Sequence, residues 1–313
     1  MKQNRILITG ASGFIGRNLT KYFSVNGRRV FPVDLPGFDL LNESAVKSFF
    51  DKISPDVVIH CANVGGTRGA ELNKSAADNA LSRNLRMFFN LARCLKPGMR
   101  MITMGSGAEY DKRRPLRKVS EKNFDAQAPA DDYGYAKYVM SKYIEKTDNI
   151  ACLRIFGLYG KYEDYTFKFI SNAILKNLLG LPIVINQNVR FDFLHINDFV
   201  GIVEKFLARK PKYSHYNATP SRSIDLVTIA KIINGIAEKK SAIRVLNPGF
   251  NREYTGANAR LLKEFPGFKF TSYEKGIAEL YSYYSRNLKS LDLASIKKDP
   301  YLKFCSLTRK AYS

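Results

Sequence analysis

The chain of 313 residues carries 50 Lys and Arg against 28 Asp and Glu, a formal charge of +22, with an apolar fraction of 45%. That length and composition suit a globular protein with one α/β domain and a smaller lobe, and argue against a disordered or fibrous chain. No apolar run reaches the roughly 18 residues of a membrane span and the N-terminus does not read as a signal peptide, while Cys61, Cys94, Cys152, Cys305 and the three histidines His60, His195 and His215 are too scattered for a metal motif, so a cytoplasmic protein with reduced thiols, no membrane span and no metal is expected.

The first apolar run, Arg5–Thr9, reads as a buried strand, and residues 14–23 carry apolar side chains at helical spacing. Between them lies Gly10-Ala11-Ser12-Gly13-Phe14-Ile15-Gly16. A glycine loop joining a strand to a helix is a dinucleotide-phosphate site: Gly10 makes the tight turn, Gly13 lets backbone approach the pyrophosphate, and Gly16 lets the helix pack on the sheet. Ser12, Phe14 and Ile15 then lie against the cofactor, whose phosphates meet the free amides and positive dipole of the helix N-terminus.

A second predicted strand, Arg29–Val33, ends at Asp34. An acid at this distance past the loop accepts hydrogen bonds from the adenosine ribose and repels a 2′-phosphate, and Ser12 adds no positive charge. These residues favour NAD(H), with NADP(H) the alternative.

Residues 100–104 form a further predicted strand, with Ser106 just beyond it, where active groups collect in such sheets. Tyr133 and Lys137 follow, four residues apart and on one face of a helix. An ammonium beside a phenol lowers its pKa, which equips Tyr133 to exchange a proton with a hydroxyl or ketone oxygen. Ser106 would orient that oxygen. Tyr135 and Tyr138, on other faces, are expected to pack.

Between Ser106 and Tyr133 stands the densest basic cluster, Lys112-Arg113-Arg114-Pro115-Leu116-Arg117-Lys118. It rims a substrate cleft or forms a solvated loop; the sequence leaves both open. The positive charge steers anionic ligands, but no nucleic-acid-binding motif accompanies it, so no specific nucleic-acid partner is expected. Strands alternate with helices to about residue 160, which argues for a doubly wound parallel sheet of Rossmann type. Residues 169–179 and 226–233 read as amphipathic helices of a substrate lobe. The expected organisation is a dinucleotide-binding domain over 1–160, with segments returning to it at about 190–220, a mainly substrate-binding lobe over 161–285, and a basic tail over 286–313 of unassigned role.

With these residues in hand, the chain resembles the extended short-chain dehydrogenase/reductases of the NAD-dependent epimerase/dehydratase family that act on nucleotide sugars, over about residues 4–285. The resemblance implies that residues 57–62 form the family's fourth strand, with Cys61, Ala62 and Asn63 bordering the cofactor. It places Asp39 and Leu40 near adenine, although Asp39 also reads as part of a helix N-cap region. It makes Asn84 structural and puts Phe156 near the nicotinamide. Gly157 stands where asparagine is usual, which puts a polar contact there in question. Ser106 and Gly107 would face the substrate. Arg190 would bind the nucleotide diphosphate, for which a guanidinium is suited by bidentate bonding, with Arg252 a second candidate and a surface ion pair the alternative for Arg190. A homodimer through helices near 82–95 and 134–146 is implied as well.

Asn63-Val64-Gly65-Gly66 is similar to a segment of GDP-fucose synthases. The cysteine and histidine with which those enzymes epimerise fall on Ala108 and near Lys168, so that epimerisation is not expected. Nor is 4,6-dehydration, because Gly107 and Ala108 occupy the places of its Asp-Glu pair and Glu109 comes one residue late. The expected activity is NAD(P)-dependent reduction of a 4-keto nucleotide sugar at carbon 4, in surface-glycan synthesis. A 4-epimerase with tightly bound NAD is the alternative, and a non-catalytic cofactor-binding protein acting through its basic surface is the alternative of another class.

Overall fold

The computed structural model describes residues 5–65, 79–303 and 305. Gly66 and part of the basic tail lie outside them. Strands β1 (Arg5–Thr9), β2 (Arg29–Val33), β3 (Val57–His60), β4 (Arg100–Ser106), β6 (Ile150–Ile155) and β11 (His215–Ala218) form one parallel sheet in the order β2-β1-β3-β4-β6-β11. The expected doubly wound α/β architecture is present. β2 carries Pro32, which offers no N–H; its edge position in the sheet tolerates that.

Both faces of the sheet are covered, and the alternation of side chains along each strand decides which helix each residue meets. Ile6, Ile8, Val57, Ile59, Ile102, Met104 and Leu153 face α1 (Phe14–Val25) and α6 (Ile196–Ala208), through Leu19, Phe23, Phe199 and Phe206. Leu7, Val58, Met101, Ile150 and Cys152 face α2 (Glu43–Ile53), α3 (Ala80–Ala92) and α4 (Asp132–Ile144). Each such Ile, Leu or Phe contributes about 1.5–3 kcal/mol by leaving water.

The segment expected as a fourth strand is the third of this sheet, because β2 passes through α2 directly into β3. β2 lies on one side of β1 and β3 on the other. The chain therefore reverses direction across the sheet at β1, and a crevice opens at the carboxyl ends of β1 and β3.

The second lobe has its own core. It is built from α5 (Phe169–Leu178), α7 (Leu226–Ile236), α9 (Tyr273–Asn287) and β8 (Ile183–Asn188). Ile296 of α10 (Leu293–Lys298) and Tyr301 join that core, with Tyr301 packed on Phe169 and Lys176 bound to Asp299 at 2.6 Å. A small sheet in the order β12-β9-β14-β5 gathers β12 (Ile224–Asp225), β9 (Arg190–Phe191), β14 (Tyr254–Gly256) and β5 (Leu116–Val119) beside the mouth of the crevice. Among the described residues no helix is long and apolar enough to cross a membrane and no His/Cys/Asp/Glu group could hold a metal.

Candidate active site

A cleft of about 1210 Å³ runs from the glycine loop, past the end of β4, to the second lobe. At its base Gly10 has φ +65°, and a Cβ there would lie 2.6 Å from the Ala62 amide; a Cβ on Gly16 would lie 2.1 Å from the Gly10 carbonyl oxygen. Only glycine fits either place. Gly13 caps α1 without any side-chain acceptor for the first amides, so these are available to a phosphate. Asp34 lies beside the glycine loop, where Oδ2 accepts from the Ser12 amide at 2.8 Å and from the Ser12 hydroxyl. Asp39 lines the cleft and accepts from the Leu41 amide; the N-cap of α2 is Asn42. Leu40, Cys61, Ala62, Asn63 and Phe156 also line it, as do Gly10, Ser12, Gly13, Phe14, Ile15 and Gly16. Asn84 grips Val64 with both ends of its amide, at 2.8 and 2.7 Å, which is a structural bond. These residues fit a dinucleotide: a glycine cradle that any Cβ would fill, unclaimed amides and an acid placed for a ribose.

Ser106, Tyr133 and Lys137 come together at the middle of the cleft. Asp131 caps α4 by accepting from the Gly134 amide at 2.9 Å, which sets Tyr133 in the first helical turn and Lys137 one turn later. Tyr133 and Ser106 line the same wall of the cleft. The Lys137 ammonium is buried, 5.9 Å from the centre of the Tyr133 ring. Burial pulls the Lys137 pKa down, against the pull of Cys152 and Glu109.

The sequence led us to expect a lowered pKa for Tyr133. In the structure burial dominates and pushes it up to about 12, opposed by the nearby Ser106 hydroxyl and reinforced by Glu109 and Asp131. Tyr133 keeps part of its surface open to the cleft, but protein surrounds the hydroxyl closely enough to disfavour a phenolate.

On the substrate side, Arg252, Lys112, Arg114 and Lys168 line the cleft, together with Ala108, Asn186, Gln187 and Asn251. The basic cluster is thus divided. Lys112 and Arg114 face the cleft, Arg113 binds Asp111, and Lys118 binds Asp192 at 3.1 Å. Arg190 does not line the cleft. On β9 it alternates with Phe191, which does, so its side chain projects the other way, exposed and in register with Asp225. Gly107 lies behind the wall, where a Cβ would approach the Tyr254 hydroxyl and the Phe156 ring to 2.7 Å.

Residues 6–219 match the model of the NAD dependent epimerase/dehydratase family. The chain belongs to that family. It is 23% identical to an ADP-L-glycero-D-manno-heptose-6-epimerase of Brachyspira hyodysenteriae, over 82% of this chain and 90% of that one. It is 24% identical to a dTDP-4-dehydro-6-deoxy-D-allose reductase of a Streptomyces species, over 82% and 87%. The UDP-glucose 4-epimerase of Thermotoga maritima, solved with UDP-glucose, has the same fold, with a TM-score of 0.77 and 20% identity over 91% of this chain and 99% of that one.

In this member of the epimerase/dehydratase family, two site features escaped the sequence. Glu109, fully buried, turns away from the cleft and binds Arg154 at 2.6 Å, Ser141 Oγ at 2.6 Å and the Ser106 amide at 2.8 Å. Its only sequence signal was Arg154 itself, a charge inside an otherwise apolar strand. Tyr254 lines the cleft from β14, with its hydroxyl beside Gly107. Nothing local marked it, because a three-residue strand brings it across from the second lobe.

Proposed function

We propose that the protein is an NAD(H)-dependent reductase of a 4-keto nucleotide sugar, acting at carbon 4. The observation that carries this reading is the meeting of Ser106, Tyr133 and the buried Lys137 at the wall of one cleft whose far end bears the Ser12–Asp34 pair. A protonated phenol is ready to give a proton, which reduction of a ketone requires.

The dinucleotide, when bound in the glycine cradle, supplies the hydride. Ser106 donates a hydrogen bond to the ketone oxygen and holds it against Tyr133. Tyr133 passes its phenolic proton to that oxygen as negative charge develops there. Lys137 stabilises the phenolate left behind and anchors the nicotinamide ribose. Arg252, with Arg114 and Lys112, offers cationic contacts for a nucleotide diphosphate; Arg190, across from Asp225, would act only from outside the lined wall. Asp34 selects NAD(H) by accepting from the ribose, and Ser12 supplies no charge for a 2′-phosphate.

Ala108 and Lys168 both line the cleft, so the wall offers no cysteine–histidine pair there for epimerisation next to the ketone. Glu109 is committed to Arg154 and is not among the lining residues, which argues against dehydration. A 4-epimerase that keeps its NAD would use the same Ser106, Tyr133 and Lys137, and the relatives include such enzymes. A homodimer through α3 and α4 would use their outer side, where Tyr135 and Tyr143 of α4 are exposed.

The test is incubation with NADH and GDP- or dTDP-linked 4-keto-6-deoxyhexoses. Loss of NADH coupled to a new alcohol supports a reductase. Interconversion of UDP-glucose and UDP-galactose by protein that carries its own NAD supports the epimerase. Tyr133→Phe abolishes either activity, whereas a purely binding role survives it.

A further inference from the structure

The basic tail, which the sequence leaves without a role, begins at the end of α9, beyond the residues that match the family model. Its first part folds back onto the second lobe. Ile296 of α10 is fully buried, and the Asp292 amide ahead of that helix donates to the Tyr165 hydroxyl at 3.1 Å. Asp299, just after α10, makes two bonds. Oδ1 accepts from the Leu302 amide at 3.2 Å, which starts a new helical turn, and Oδ2 holds the Lys176 ammonium at 2.6 Å. Lys176 lies on α5 with 4% of its side chain exposed, so release of Asp299 would strand a buried charge. The turn is thereby fixed to the lobe.

That turn presents two side chains to the cleft. Tyr301, nearly fully buried, packs on Phe169 with ring centres 5.8 Å apart, and it lines the cleft together with Lys168, the residue before Phe169. Residues 300–303 and 305 are helical, which sets Cys305, four residues on, over the same side as Tyr301; Cys305 lines the cleft too. Val189 and Leu226, which share the core of Tyr301, also line it. These residues mark the second-lobe end of the cleft, away from Ser106 and Tyr133 in the first. The order of a substrate's parts decides what lies there. The carbon that receives hydride must sit at Ser106 and Tyr133. Cations for a diphosphate, Arg114 and Arg252, precede β5 and β14 of the small sheet, and Arg252 donates to the Arg113 carbonyl at 3.0 Å, which joins the two runs. Sugar, diphosphate and nucleoside are linked in that order, so the nucleoside lies past the diphosphate, in the second lobe.

We propose that the turn carrying Tyr301 and Cys305 is the end wall of the nucleoside site, and that these two side chains limit the size of the nucleoside the cleft accepts. This rests on the reading of the substrate as a nucleotide sugar, though not on the direction of the reaction. The tail supplies the wall and α5 holds it, through Phe169 and Lys176. A dinucleotide in the glycine loop, at the other end of the cleft, would not meet it.

The experiment titrates the full chain, saturated with NADH, with UDP, dTDP, GDP and ADP by calorimetry, wild type beside Cys305→Trp. The tightest of these nucleotides is expected to bind Cys305→Trp about tenfold more weakly or worse, as overfilling a packed wall does, with NADH affinity changed by less than about twofold. In reduction of the 4-keto-6-deoxyhexose nucleotides KM rises by a similar factor and kcat stays within about twofold, the pattern of lost uniform binding. A second measurement needs no variant: the rate at which N-ethylmaleimide modifies Cys305 in wild type, read by peptide mass spectrometry against Cys94, which does not line the cleft. The same nucleotide at about ten times its Kd is expected to slow modification of Cys305 about tenfold by mass action and to leave that of Cys94 unchanged. Unchanged nucleotide affinity in Cys305→Trp, undiminished modification of Cys305 in the complex, or a Cys305 that never reacts overturns the proposal. Wild type that binds a nucleoside diphosphate with these effects but reduces no 4-keto sugar overturns the reductase reading alone. Wild type that binds none of the nucleotides overturns both. Should Cys305→Trp not fold, the modification of wild type decides.

Discussion

Glu109 and Arg154 are paired at 2.6 Å directly behind Ser106, with 0% and 1% of their side chains exposed. Glu109 also holds the Ser106 amide and the Ser141 hydroxyl, so one buried carboxylate ties together the end of β4, the last turn of α4 and a charged residue of β6. Replacing it leaves Arg154 charged and unpaired in a site closed to water. Glu109→Ala is expected to destabilise the protein by about 3–5 kcal/mol, measured by urea unfolding. A cost below about 1 kcal/mol would show that the pair is not essential to the fold.

Asp34 tests the cofactor preference. Its carboxylate is held by Ser12 at the glycine-loop end of the cleft. On the proposed reading, Asp34→Asn removes the charge that would accept from the ribose and repel a 2′-phosphate. NADH binding is expected to weaken about tenfold or more, and NADPH binding to improve, as befits loss of a charge-assisted hydrogen bond. Fluorescence titration with both cofactors measures the switch; an unchanged ratio would remove Asp34 as selector.

Tyr133→Phe keeps the ring and deletes the proton donor. Turnover is expected to fall by about 10²–10⁴ with NADH affinity unchanged. Lys137→Met is expected to lower both, because on the proposed reading Lys137 would serve the phenol and the nicotinamide ribose. Steady-state rates and cofactor titration separate the two patterns.

The acid limb of stability follows from two buried histidines. Burial first, then Lys137, pulls the His60 pKa from 6.5 to about 3; burial first, then Arg154 and Arg260, does the same for His215. Both are depressed, so between these values the unfolded chain binds protons that the folded chain refuses. The stability they contribute is present above about 6.5 and is lost as pH falls toward 3. His215→Phe, which preserves the stacking on Phe124, is expected to flatten the decline of unfolding free energy across that window. An identical slope in the variant would show that His215 takes up its proton in the folded state.

Where function depended on short-range pattern, the sequence was informative. The glycine loop, its flanking strand and helix, Asp34 and the Tyr133–Lys137 spacing are each set within a few residues, and the fold brings them to one cleft as expected. What it concealed depends on distant pairing. Tyr254 reaches the cleft only because β14 pairs with β5 and β9. The outward direction of Arg190 depends on the register of a two-residue strand, too short to show an alternating pattern. The raised Tyr133 pKa was not legible because helical spacing reveals the neighbouring lysine but not the burial of the phenol.

The central claim is proton delivery by Tyr133 during net reduction at carbon 4. The most direct measurement follows NADH carrying deuterium at its transferable position, mixed with wild-type protein and a 4-keto-6-deoxyhexose nucleotide, with the product examined by NMR. The account predicts one NADH consumed per sugar and deuterium at carbon 4 of the new alcohol, with neither seen in Tyr133→Phe. Conversion of a sugar nucleotide without NADH loss, or reduction that persists in Tyr133→Phe, would contradict it.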